Sequence, residues 1–109
     1  MSRYAQRRRR GGSPPTAAAV APINLTSVSL FDASTATLFF DGPAPCNGAT
    51  DFSFSINGFT IASSSQDGPN SVTVTAAGPV WNPGDPYSLI ASPTWLDVPV
   101  NFPASGLVT

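Results

Sequence analysis

Apolar and polar residues alternate along most of the chain after residue 22, in short runs separated by turn-forming residues. The clearest run is DFSFSING at 51–58, where Phe52, Phe54 and Ile56 alternate with serine. A period of two places successive side chains on opposite faces of a β-strand. We therefore predict that these three apolar side chains are buried together on one face of a strand.

The same period recurs on both sides of this segment. Apolar residues alternate with serine or threonine, which predicts strands that are buried on one face and solvated on the other. The pattern predicts strands at 23–30, 35–41, 59–63, 70–77 and 86–92, a weaker strand at 94–100 and a short last strand at 104–109. The expected inward residues include Val28, Leu30, Ala36, Leu38, Phe40, Val72, Val74, Ala76, Tyr87, Leu89 and Ala91.

Turn residues separate these runs. Asn57-Gly58 predicts a tight hairpin, because both residue types adopt positive φ readily. The serines at 63–65 are interpreted as a solvated strand end or a loop. Turns spaced by roughly 8–12 residues are typical of sandwiches and barrels. We predict an all-β fold over residues 23–109, an immunoglobulin-like antiparallel β-sandwich of about seven strands.

Residues 1–22 have a different composition and form a separate predicted region. The four adjacent arginines at 7–10 repel one another and offer nothing to bury, which predicts an unpacked basic arm over 1–12. The prolines in 13–22 favour an extended linker and cannot continue a helix. We therefore expect an extended basic N-terminal arm and a Pro/Ala-rich linker ahead of the sandwich.

The charges divide the chain at the same place. All five positively charged residues lie in the arm, whereas residues 11–109 contain six aspartates and no Arg, Lys or His. A separation this sharp suggests that the arm and the body have different tasks. We predict that the arm binds a partner through Arg3, Tyr4, Arg7, Arg8, Arg9 and Arg10.

The sequence lacks the residue types on which most catalytic sites depend. It contains no His, no Lys and no Glu, so its serines have no evident base to activate them. We predict no catalytic residues, no cofactor and no enzymatic activity. Cys46 is the single cysteine, which excludes an intrachain disulfide, and we interpret it as a small loop residue rather than a reactive thiol.

Two loops contain oxygen atoms that could bind calcium. Asp67 and Asn70 lie in one loop, and Asn82 and Asp85 lie in the other. Calcium requires six to eight oxygen ligands, and the sequence has no dense run of acidic residues to supply them. Turn capping is therefore the preferred interpretation of these residues, and we predict no metal site.

Most aromatic residues occupy alternating positions, where burial in the core is expected. Trp81 and Trp95 differ because they lie near turns. Packing over the open end of the sandwich is the preferred interpretation of both indoles. The alternative is that one of them faces a sugar or a protein partner.

The arginines are not followed by the apolar segment that a secretory signal requires. No apolar run approaches the length of a transmembrane helix. We therefore expect synthesis in a host cytoplasm and no membrane partner.

Several short motifs resemble, in their order, those of the bacterial immunoglobulin-like repeat domains of large surface proteins. The motifs are Phe40-Asp41, Ile56-Asn57-Gly58, Val72 to Thr75, Gly84-Asp85 with Tyr87, and Asp97, within about residues 25–105. The resemblance implies a β-sandwich and no particular activity. That family usually occurs as tandem repeats on a secreted chain. The same module is also displayed on bacteriophage particles, and that setting is compatible with a single copy that carries an arginine arm.

Three hypotheses address the arm. It could bind nucleic acid through phosphates, it could pair its guanidinium groups with an acidic protein groove, or it could be an expression artefact. The negative body would be repelled from a polyanion, so a protein partner is preferred. The third hypothesis is disfavoured if the arm is ordered, because an isolated arm of this kind needs a partner to hold it.

The leading functional hypothesis is a virion structural protein, with a bacteriophage capsid decoration or minor capsid protein as first choice. Its expected partners are a major capsid or other virion protein and further copies of itself on a symmetric lattice, which places it in the virion. The first alternative is a small coat protein whose arm contacts the genome. The second is a carbohydrate-binding or adhesin module that uses Trp81 or Trp95.

Overall fold

A computed structural model describes residues 21–78 and 80–109 as an all-β domain with eight strands. The strands are β1 (Leu25–Asp32), β2 (Thr35–Phe40), β3 (Phe54–Ile56), β4 (Phe59–Thr60), β5 (Ser63–Gly68), β6 (Ser71–Thr75), β7 (Pro86–Leu89) and β8 (Ala104–Leu107). The predicted arm, residues 1–12, lies outside the described residues, as does the linker up to residue 20.

The strands form two four-stranded antiparallel sheets. One sheet has the order β1-β2-β6-β5, and the other has the order β4-β3-β7-β8. This is the strand order of an immunoglobulin-like sandwich in which an additional strand, β4, pairs with the outer side of β3. The predicted all-β immunoglobulin-like sandwich is therefore confirmed, with eight strands where about seven were expected.

The core lies between the sheets and follows the alternation in the sequence. In β2 and β6 the inward side chains are buried, whereas the intervening threonines are half-buried. Register places Ala36 opposite Val74 and Leu38 opposite Val72, so the two central strands present one continuous apolar face. The largest fully buried side chains are Trp81, Trp95, Phe54, Leu38, Ile56, Ile61, Leu89, Val28, Val72, Val74 and Val108.

The hairpin predicted at Asn57-Gly58 joins β3 to β4. Both residues have positive φ, 53° and 82°, and Ile56 pairs directly with Phe59 across the turn. A two-residue turn of this type matches the right-handed twist of the strands. The chain then passes through the buried Ile61 into β5, and thus changes from one sheet to the other.

The prediction for Phe52 is wrong, although Phe54 and Ile56 are buried as expected. The side chain of Phe52 is 71% exposed, because β3 begins only at Phe54. The backbone N–H of Ser53 donates to the Oδ1 atom of Asp51 at 2.8 Å, which turns the chain just before the strand. This local turn interrupts the alternation that the sequence suggested.

The serines at 63–65 belong to a strand rather than to a loop. Residues 63–68 form β5, which pairs with β6 along its length, with Ser65 opposite Thr73. The sequence did not indicate this strand, because apart from Ser64 its side chains are exposed or half-buried and none is apolar. Pairing with the apolar strand β6 decides its conformation.

The weak strand predicted at 94–100 is absent from the described structure as a continuous element. Only isolated bridges form there, from Leu96 to Cys46 and from Val100 to Ile23. The loop instead packs against the 41–53 connection, where the backbone N–H of Asn47 donates to the carbonyl of Trp95 at 2.8 Å. This contact brings Trp95 into the core.

The expectation that most aromatic side chains are buried fails for phenylalanine. Five phenylalanines have at least 41% of their side chains exposed, namely Phe31, Phe39, Phe52, Phe59 and Phe102. Phe39 points outward because it lies on the solvent-facing side of β2, between the buried Leu38 and Phe40. Aromatic rings are therefore available on the surface of this domain.

The sandwich should depend strongly on Phe54 and only weakly on Phe52. Phe54→Ala removes a fully buried ring, so we expect a loss of about 3–5 kcal/mol in the free energy of unfolding. Phe52→Ala, the matched control, should change it by about 0.5 kcal/mol or less because the ring is exposed. Chemical denaturation of both variants measures the difference, and equal losses would contradict the assigned start of β3.

Candidate functional site

The residues predicted to bind a partner, Arg3, Tyr4 and Arg7 to Arg10, lie outside the described residues and stay a prediction. The described part of the chain contains none of the five positively charged residues. Its charged side chains are aspartates, and its outer faces are dominated by hydroxyl groups. Among the described residues, no helix is long and apolar enough to span a membrane.

The outer face of the β1-β2-β6-β5 sheet carries rows of hydroxyl side chains, and we call it the hydroxyl face. Residues that pair across adjacent strands form these rows. One row contains Ser29, Thr37, Thr73 and Ser65, and another contains Thr35, Thr75 and Ser63. These side chains point away from the core because their neighbours along each strand are buried on the other side. Phe39, which shares the outward side of β2 with Thr35 and Thr37, adds an exposed aromatic ring to this face.

A groove of about 360 Å³ crosses the hydroxyl face. It is lined by Phe31, Thr35, Thr37, Ser65, Asp67 and Thr73, which come from all four strands of the sheet. Phe31 is 80% exposed, so its ring forms an apolar wall at the β1 side. Asp67 supplies a carboxylate at the β5 side. The groove therefore combines hydroxyl acceptors, one aromatic ring and one negative charge.

A second carboxylate lies beside this groove. The Oδ1 atom of Asp32 accepts the backbone N–H of Ser34 at 2.9 Å. This hydrogen bond lowers the pKa of Asp32 most, partial desolvation acts in the opposite direction, and the hydroxyl of Thr35 lowers the pKa further. Asp32 is therefore ionised at neutral pH and adds negative potential next to Thr35.

The two tryptophans do not form a binding site. Trp81 and Trp95 are 2% and 0% exposed, and their indole nitrogens have no hydrogen-bond partner among the described residues. The burial that the preferred interpretation expected for both indoles is confirmed. The alternative in which either indole faces a sugar is wrong, because a buried ring has no face for a ligand.

Cys46 has a structural position. Its thiol donates to the Oγ atom of Ser64 at 3.2 Å, and that hydroxyl donates to the carbonyl of Ala49 at 2.8 Å. These contacts attach the 41–53 connection to β5. The described residues contain no group of three His, Cys, Asp or Glu side chains that could hold a metal ion.

The two loops that were considered as possible calcium sites contain hydrogen bonds within the protein. The Oδ2 atom of Asp85 accepts the backbone N–H of Asn82 at 2.9 Å, and the backbone N–H of Asp85 donates to the carbonyl of Asn82 at 3.0 Å. In the other loop, the carbonyl of Asn70 accepts the N–H of Phe40. Asp67 instead lines the groove, which the sequence analysis did not anticipate.

Asp51 is the one buried carboxylate of the described chain. It accepts the backbone N–H groups of Ser53 and Thr94 and thereby joins the 41–53 connection to the loop that contains Trp95. Burial raises the pKa of Asp51, but the two N–H donors outweigh it and leave the pKa below its usual value. Asp51 thus stabilises the folded state in its ionised form.

The groove could not be located from the sequence because its two walls lie on strands that are not adjacent along the chain. Phe31 is in β1 and Asp67 is in β5, and the serines of β5 were interpreted as a strand end or a loop. Ser63, Ser65 and Asp67 are spaced by two residues, as side chains on one face of a strand would be. The intervening residues, Ser64 and Gln66, are also polar, so the sequence does not show which face of the strand is buried.

The comparisons with known proteins agree with the fold. No protein-family model matches the chain, and no curated protein matches it. Among solved structures, the chain is similar to the crystal structure of the S-layer protein rSbsC(31-844), with a TM-score of 0.59 and 18% sequence identity. The similarity covers 82% of this chain and 14% of that protein, and at this identity it shows the sandwich fold alone.

The buried carboxylate predicts a pH dependence of stability. Because the pKa of Asp51 is lowered on folding, its contribution is complete above its unfolded pKa of about 3.9 and is lost as the pH falls through the lower folded value. Asp51→Ala should cost about 1–3 kcal/mol at pH 7, because it leaves two backbone N–H groups unpaired. The variant should also lose less stability than the wild type between neutral and acid pH.

Asp97→Ala is the control, because Asp97 is an exposed loop aspartate of equal charge. Thermal unfolding of the three proteins between pH 2 and pH 7 measures both effects. A variant whose melting temperature follows the wild type at every pH would contradict the role of Asp51.

Proposed function

We propose that this protein is a structural component of a virus particle, a bacteriophage capsid decoration or minor capsid protein, with the arginine arm as its attachment to the shell. The separation of charge supports the proposal. All five cations lie in residues 3–10, while the sandwich contributes six aspartates and no cation. A body that carries hydroxyl groups and negative charge is displayed outward, and a separate cationic segment binds a partner.

The sandwich supports this division because both of its sheets form within residues 25–107. Every core residue of the described chain comes from residue 23 or later. We infer that the arm serves a task other than folding. The S-layer protein supports the sandwich fold alone.

Arginines suit attachment to a protein shell. The guanidinium group forms paired hydrogen bonds with a carboxylate, and these are stronger than bonds between neutral groups. Four or five such charges bind weakly when they act alone and are screened by salt. A shell presents many equivalent sites, so repeated weak contacts between neighbouring copies raise the residence time of each copy.

The two alternatives have less support. A coat protein whose arm contacts the genome would hold a body with six aspartates close to a polyanion. A carbohydrate-binding module that uses Trp81 or Trp95 has no exposed indole with which to bind.

Deletion of residues 1–12 should leave the sandwich folded and greatly reduce its attachment to particles. The described core is formed by residues from Ile23 onward, so the melting temperature should change little. Replacement of Arg7 to Arg10 by alanine should give an intermediate loss of attachment, and lysine should restore only part of it because it lacks the planar fork. Occupancy on purified particles, measured by quantitative mass spectrometry at several salt concentrations, tests each variant.

Nucleic-acid binding is the control that separates this proposal from the genome-contacting alternative. The isolated protein should show no appreciable affinity for DNA or RNA near physiological salt of about 0.15 M. Normal occupancy of the truncated protein on the particle would overturn the proposal. Strong salt-dependent binding to nucleic acid would favour the coat-protein alternative.

A further inference from the structure

The groove on the hydroxyl face has a chemistry that suits a guanidinium group. Thr35, Thr37 and Thr73 line it with side chains whose hydroxyl groups can accept hydrogen bonds, and Asp67 provides a carboxylate at one side. The exposed ring of Phe31 forms the other side, and the face of an aromatic ring attracts a cation. Phe31 and Asp67 lie on the two outer strands of the sheet, which are three strand spacings or roughly 14 Å apart, so different arginines of one segment would contact the ring and the carboxylate.

Charge complementarity indicates where the cation comes from. No Arg, Lys or His occurs between residues 11 and 109, so the sandwich cannot fill the groove from its own side chains. The arm at residues 3–10 is the one cationic segment that the sequence contains. The arm and the groove therefore carry opposite charges, and the sandwich has no cation of its own that could pair with Asp67.

We propose that the groove on the hydroxyl face is the receptor for the arginine arm of a neighbouring copy of this protein, with Asp67 and Phe31 as its main binding residues. The proposal rests on the proposed function, because it adds a neighbouring copy to the shell protein as a second partner of the arm. The arm then links copies side by side in addition to holding them on the particle.

The length of the linker permits contact between copies. Ten residues separate the last arginine, Arg10, from Ala21, the first residue that the structure describes. An extended chain spans at most about 3.3–3.6 Å per residue, so the arginines reach roughly 35 Å from the sandwich. The longest strand, β1 with eight residues, measures about 26 Å. The arm is therefore long enough to reach past its own domain to the next one.

A neighbouring copy is the occupant that we propose, because copies held side by side on a shell present the groove to one another's arms at high local concentration. Pro14, Pro15 and Pro22 favour an extended linker, which gives the arm the reach that such a contact needs. Ile23 is fixed at the start of the sandwich by a backbone pairing with Val100.

A peptide titration tests the proposal directly. The receptor is the full chain with Arg7 to Arg10 replaced by alanine, labelled with ¹⁵N, and the ligand is a synthetic peptide of residues 1–20. We expect the amide signals of Thr37, Ser65 and Thr73 to shift on addition of peptide up to about 1 mM, and the shifts to weaken as added salt shortens the screening length. A peptide with alanine in place of the four arginines should produce no shifts.

Substitutions in the receptor locate the contact. Asp67→Asn and Phe31→Ala should each weaken peptide binding by about fivefold or more, because each removes one wall of the groove. Asp97→Asn and Phe52→Ala are the matched controls, since they change an exposed aspartate and an exposed phenylalanine outside the groove, and they should alter affinity less than about twofold. Equal effects of the groove and control variants would overturn the proposal, as would the absence of shifts at the groove.

The wild-type chain distinguishes binding between copies from binding within one copy. Groove signals that shift with protein concentration support binding to a neighbour, whereas groove signals that are occupied at every dilution overturn it. The proposed function is tested separately. If deletion of the arm releases the protein from particles while Asp67→Asn leaves occupancy unchanged, the attachment stands and the groove is not its receptor.

Discussion

Packing between the inward faces of the two sheets is the interaction on which the rest of the structure depends. With a single cysteine the chain has no intrachain disulfide, so its stability must come from the burial of apolar surface. Phe54 from one sheet and Leu38 and Val74 from the other are each 1% exposed or less. Every loop contact described above acts by holding a segment against this core.

The long connections complete the core rather than merely linking strands. Trp81 and Trp95 lie outside the eight strands, yet they are the two largest fully buried side chains. Asp51 and Asn47 hold the loop of Trp95 in place through backbone hydrogen bonds. The polar atoms of these loops thus determine where an apolar side chain is buried, and this explains why a carboxylate is retained in the interior.

The outer face of the β1-β2-β6-β5 sheet contributes no side chain to the buried apolar core. Its serines and threonines are compatible with strand structure, and the lack of cations in residues 11–109 leaves it without positive charge. A surface of this kind does not attract polyanions, but its carboxylates can accept guanidinium groups. The proposed roles of the arm and the groove both follow from this single division of charge between the two parts of the chain.

The sequence by itself determined the fold class and most of the core. Strict alternation in 35–40 and 71–75 and the Asn57-Gly58 turn act over a few residues, so they can be recognised locally. The exposure of Phe52 follows from the local hydrogen bond of Ser53 to Asp51, which the alternation of apolar residues does not reveal. Tertiary structure decided two other features, the existence of β5 and the burial of Trp95, because each depends on a partner distant in sequence, β6 and the 41–53 connection respectively. The groove belongs to this second group, because its walls meet only when β1 and β5 join the same sheet.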